Sequence, residues 1–159
     1  MRNFVEISLG IIIAFFLYTI IGKVSFSLSQ LLNFFTLAVI YFAIAKGEIY
    51  GALIGTVCGL IQDSFSLGVF GVSGLAKTLI GFLAGFIAQK INILPLIRNF
   101  MFIFVMISGE ISFSIFLYYF ISAEYVREIT PLILFQPLAT AFLGGVVFFL
   151  LRKFKVLGF

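Results

Sequence analysis

The chain has 159 residues, of which ten are Lys or Arg and six are Asp or Glu, for a formal net charge of +4. Only 10% of residues are charged and 63% are hydrophobic, with a mean hydropathy of +1.28, whereas a solvated globule carries roughly 25% charged residues. A soluble domain, a disordered tail and a nucleic-acid binder are therefore excluded, and the composition is that of an all-α integral membrane protein.

A helix needs about 20 apolar residues to cross the hydrocarbon of a bilayer, and apolar runs bounded by charges and turn residues divide the chain into six spans. The first is expected from about Phe4 to Gly22, ending at Lys23, and the second from about Leu28 to Ala45, ending at the Lys46-Gly47-Glu48 turn. The first is too long for the apolar core of a signal peptide and has no small-residue cleavage site before Lys23, so it is expected to stay in the membrane. A third, shorter helix runs from about Ile49 to Asp63, followed by the irregular segment Ser64 to Gly71. The fourth covers about Val72 to Gln89, the fifth Leu96 to Ile121 and the sixth Ile129 to Leu151. Pro131 falls in the first turn of the sixth, where proline is tolerated; Pro137 falls in its interior, where it frees the Ile133 carbonyl and is expected to kink the helix. Gln136 and Thr140 are placed to answer that carbonyl. All six spans form one transmembrane domain over residues 1–159 with connections too short to hold an extramembrane domain.

Six spans put Arg2, Lys46, Lys90, Arg98, Arg152, Lys153 and Lys155 on one side and only Lys23 and Arg127 on the other. Seven positive charges against two place both termini in the cytoplasm by the positive-inside rule. The six tyrosines fall near the span ends, where an aromatic belt holds its amphipathic rings. Chemistry is restricted as well. There is no His, and Cys58 is the one cysteine, so an internal disulfide is impossible. Zinc, haem and iron–sulfur sites lack their usual ligands, and no Ser-His-Asp or Cys-His set can be assembled. Cys58 reads as a small packing residue.

Ionisable groups within spans are expensive, and they mark a site or a buried pair. Lys77 in the fourth helix and Glu110 in the fifth lie well inside, and Asp63 lies at the outer end of the third. Gly51, Gly55, Gly59 and Asp63 recur at four-residue spacing, a doubled G-x-x-x-G stripe that admits another backbone at close range. Lys77 is flanked at the same spacing by Ser73 and Gly81, and Gly81 forms a further G-x-x-x-G with Gly85. Lys77 is thus expected to face the bundle, neutralised by Asp63, Glu110 or both. Two readings stay open at this level: a buried ion pair that fixes helix register, or a ligand or proton site.

The stretch from Gly51 to Lys90 is the most distinctive. Gly59-Leu60-Ile61-Gln62-Asp63, then Leu67-Gly68 and Gly71, then Leu75-Ala76-Lys77-Thr78-Leu79 and Gly81-Phe82-Leu83-Ala84-Gly85 resemble the middle of the rod-shape-determining MreD family. The resemblance implies a protein of the bacterial cytoplasmic (inner) membrane that belongs to the cell-elongation machinery. It would work as a scaffold and not as an enzyme, without a cofactor. Its implied partners are the bitopic protein MreC and, less directly, the glycosyltransferase RodA with its transpeptidase and the MreB filament. The implied fold is similar to the substrate-binding subunits of energy-coupling-factor vitamin transporters, which makes such a subunit the alternative reading. An intramembrane enzyme would have to rest on Asp63, Lys77 and Glu110 alone. The helix-packing glycines 51, 55, 59, 81 and 85 and the loop glycines Gly68 and Gly71 carry the rest of the pattern.

Overall fold

The computed structural model describes residues 2–24, 31–65, 69–91, 95–121 and 132–153. Among the described residues every regular element is a helix: α1 (Arg2–Val24), α2 (Phe34–Lys46), α3 (Glu48–Phe65), α4 (Val72–Lys90), α5 (Leu96–Ile121) and α6 (Leu132–Lys153). Two of them, α4 as Val72–Lys90 and α5 over Ile97–Ile121, are long and apolar enough by length and composition to cross a membrane. The sixth helix covers Pro137 in its interior. Gly68, Arg127 and the expected starts of the second and sixth helices lie outside the described residues.

At 13 residues, α2 is the shortest of these six helices, yet it is the centre of the bundle. On one side Phe34, Phe35, Val39 and Phe42 pack with Ala14 of α1 and with Ile54 and Cys58 of α3. On the other, Ile40 and Ala43 pack with Ile80 and Ala84 of α4, with Ile103, Met106 and Ile107 of α5, and with Ala141 and Phe148 of α6. With apolar residues all round and neighbours on both flanks, α2 has no exposed residue. The apolar stripe Ile7, Ile11, Ala14, Phe15, Tyr18 and Ile21 holds α1 against this core at the i, i+3, i+4 spacing of one helix face.

Helices α3 and α4 form an antiparallel hairpin in direct backbone contact. A Cβ added at Gly51 would meet the Gly81 carbonyl, one at Gly55 the Lys77 carbonyl, one at Gly59 the backbone of Ser73 and Gly74, and one at Gly85 the backbone of Gly47 and Glu48, all closer than the 3.0 Å that real Cβ atoms keep. Between helices in an apolar medium there is no hydrophobic gain to drive association, so close van der Waals packing of small residues carries it. One end of the hairpin is tied by Gln89 Nε2, which donates to Glu48 Oε2 at 2.7 Å. Midway, the Thr56 and Thr78 hydroxyls hydrogen-bond to each other at 2.8 Å.

Candidate functional site

Three charged side chains are buried among the described residues: Asp63, Lys77 and Glu110, at 3%, 1% and 4% exposure. The packing of α3 on α4 decides where the first two go. Asp63 lies at the last turn of α3, and the chain turns back onto it through Gly71, whose φ of +98° is left-handed backbone that suits glycine. The Asp63 carboxylate then accepts from the first amides of α4: Gly71 N–H at 2.9 Å and Gly74 N–H at 3.2 Å on Oδ2, and Ser73 N–H at 3.3 Å on Oδ1. A helix begins with amides that have no partner within the helix, and a carboxylate there satisfies them and opposes the positive end of the dipole. Asp63 is thus the N-terminal cap of α4, supplied from the preceding helix.

Lys77, one turn further along α4, forms a salt bridge with Glu110 Oε1 of α5. The start of α2 supplies two further partners to Glu110. Thr36 Oγ1 donates to Glu110 Oε2 at 2.6 Å, and Asn33 Nδ2 to Oε1 at 3.4 Å. Asn33 also caps α2, its Oδ1 accepting from Thr36 N–H at 3.2 Å, as the short polar residues favoured at that position do. From α6, Thr140 completes the set: its hydroxyl accepts from Asn33 N–H at 3.3 Å and donates to the Leu31 carbonyl at 2.9 Å. Thr140 therefore serves the start of α2 and not the Ile133 carbonyl freed by Pro137, because the single proton of its hydroxyl goes to the Leu31 carbonyl.

The formal charges of this assembly close. One ammonium, two carboxylates and two helix N-termini worth about half a positive charge each sum to roughly zero. A neutral, hydrogen-bonded set is what burial requires, since an unpaired charge in such surroundings is far costlier than a paired one. No group of three or more metal-binding side chains occurs among the described residues. Gln62 Oε1 and Asn99 Oδ1 are buried without a hydrogen-bond partner and take no part in the network.

Sequence reasoning does not single out Asn33 and Thr36, and it gives Thr140 a different partner. Hydropathy does not reveal this set, as neutral polar residues barely interrupt an apolar run. The available signal is Asn33, a residue type favoured as a helix N-cap, inside what reads as one continuous span. Of the glycines, 51, 55, 59, 81 and 85 all face backbone across the hairpin, so these stripes are used internally. Gly71 opens α4.

Fold and site together define an all-helical, largely apolar bundle whose internal charges are neutralised by its own helices. The profile of the family described as rod shape-determining protein MreD matches residues 1–154, and the chain belongs to that family. It therefore has a role in rod-shape determination. No curated protein and no solved structure matches the chain, so the likeness to energy-coupling-factor subunits stays an implication of the family resemblance.

Proposed function

We propose that the protein is a non-enzymatic scaffold of the cell-elongation complex in the bacterial inner membrane, spanning it six times with both termini in the cytoplasm. In this reading it binds the transmembrane and juxtamembrane part of MreC and through it helps position the RodA synthase and its transpeptidase, with the MreB filament coupled indirectly. The observation that carries the reading is the family match over residues 1–154. The closed network around Glu110 supports it, because Lys77, Thr36 and Asn33 already occupy the one carboxylate that sits amid polar groups in mid-bundle. A catalyst needs a group free to meet a substrate; here Asp63, Lys77 and Glu110 hold helices in register. The family assignment concerns cell shape, and no observation favours the vitamin-transporter alternative.

Five helical glycines are consumed between α3 and α4, which leaves the outward apolar faces of the bundle for a partner helix. Purification of the tagged protein from native membranes in a mild detergent tests the proposal. MreC is expected to co-elute in stoichiometric amount. Recovery with a bound vitamin or an ATPase module, and without MreC, would overturn it.

A further inference from the structure

Helix lengths around the bundle are unequal, and the inequality concerns the lipid. Taking the six-span reading above as its basis, we propose that the outward face of the α3–α4 hairpin is matched to a thinner hydrocarbon layer than α5 is, so that the bilayer is drawn in beside the hairpin.

On α3 the outward apolar residues run from Ile49, which is 69% exposed, through Leu53, Val57 and Leu60 to Phe65, at 60%. That distance is about 24 Å at 1.5 Å per residue. At one end it is bounded by Glu48, held by Gln89 at 2.7 Å. On α4 the apolar face ends at Phe86, because the Lys90 ammonium lies over the Phe86 ring, 4.0 Å from its centroid. The outward residues of α4 start at Leu75, 60% exposed, and from Leu75 to Phe86 is about 17 Å on the same rise. By contrast the outward apolar face of α5, bounded in its first turn by the exposed Arg98, runs from Met101 to Ile121, about 30 Å, and both of those residues are exposed.

A typical hydrocarbon core is about 30 Å thick. A helix that is too long can tilt, but tilting only shortens the reach of one that is too short. α5 therefore matches that thickness, while the hairpin deficit falls on the lipid. The far end of the hairpin is built for that position. Phe65 and Phe70 are exposed there, and the amides of Gly71, Ser73 and Gly74 are satisfied by Asp63 instead of by water.

The chain contains no tryptophan, so single tryptophans report local lipid on a silent background. Leu53→Trp and Phe82→Trp mark the hairpin, and Val105→Trp and Phe116→Trp mark α5; all four positions are exposed. Each full-length variant is reconstituted in phosphatidylcholine vesicles of increasing acyl-chain length, and quenching by brominated phosphatidylcholine of each length gives the relative lipid affinity at that face. The expected result is an affinity maximum at shorter chains for the hairpin tryptophans than for the α5 pair. A maximum at the same chain length on both faces would overturn the proposal while leaving the six-span reading intact. Failure of the unmodified chain to co-float with any vesicle would instead overturn that reading, and the proposal with it. Helical content by circular dichroism and co-flotation of each variant show that a shared maximum does not come from misfolding.

Discussion

Lys77 and Glu110 bear on stability through what each does to the other. Glu110→Gln keeps one acceptor oxygen, enough for Thr36 Oγ1 or Asn33 Nδ2 but not for both, and it strands the Lys77 ammonium at 1% exposure. Removing one partner of a buried ion pair costs about 3–5 kcal/mol. Adding Lys77→Met removes the stranded charge and keeps the volume, so the double variant is expected to recover most of that loss. Thermal unfolding of the three proteins in detergent checks this: the order should be unmodified protein, double variant, then Glu110→Gln. If Glu110→Gln melts with the unmodified protein, or the double variant melts below the single, the salt bridge is not what holds α4 to α5. Asp63 differs in kind. Its carboxylate is matched to backbone amides, so its effect belongs to the hairpin turn and not to the helix pair that Lys77 and Glu110 join.

The α3–α4 hairpin depends on what its glycines lack. The Gly55 position faces the Lys77 carbonyl and the Thr78 amide, whereas at Gly145 an added Cβ meets nothing within 4 Å. Gly55→Leu must therefore push the α3 and α4 backbones apart, an overpacking cost of about 1–3 kcal/mol and occasionally more, and it would also shift Lys77 away from Glu110. Gly145→Leu has room. Size-exclusion profiles of the two variants in detergent should show Gly55→Leu aggregated or poorly recovered and Gly145→Leu monodisperse; equal recovery would mean that the close contact is dispensable. This contact was legible in the sequence, because four-residue glycine spacing on adjacent runs states directly which faces carry no side chains. The start of α2 was not. The run from Leu28 to Ala45 reads as one apolar stretch, yet the helix begins at Phe34. Hydropathy records side-chain polarity, but the break is set by which backbone groups find partners, and those partners, Thr140 and Glu110, lie 107 and 77 residues from Asn33.

At the level of the molecule, composition carried the class and spacing carried the pair of helices, but not the choice between Asp63 and Glu110 for Lys77. That choice depends on how α4 is rotated between its two neighbours, which the glycine packing fixes only once α3 and α4 touch. What sequence does state about the whole is its charge asymmetry, and the structure adds a sense of direction. The Lys46–Gly47–Glu48 turn, Gln89 and Lys90 meet at one end of the bundle, and the Asp63 cap of α4 lies at the other. The six-span reading assigns seven Lys or Arg to the first end and two to the second, so the Lys46 end is expected in the cytoplasm, since translocating a cluster of positive charge is disfavoured. Fusions to the C-terminus read this out. Green fluorescent protein placed after Phe159 should fold and fluoresce, and alkaline phosphatase at the same point should be inactive, since it needs the oxidising side of the membrane for its disulfides. The converse pattern would invert the bundle. It would place Lys23 and Arg127 in the cytoplasm, and the Asp63 end of the hairpin, with the bilayer thinning proposed there, in the inner leaflet and not the outer one.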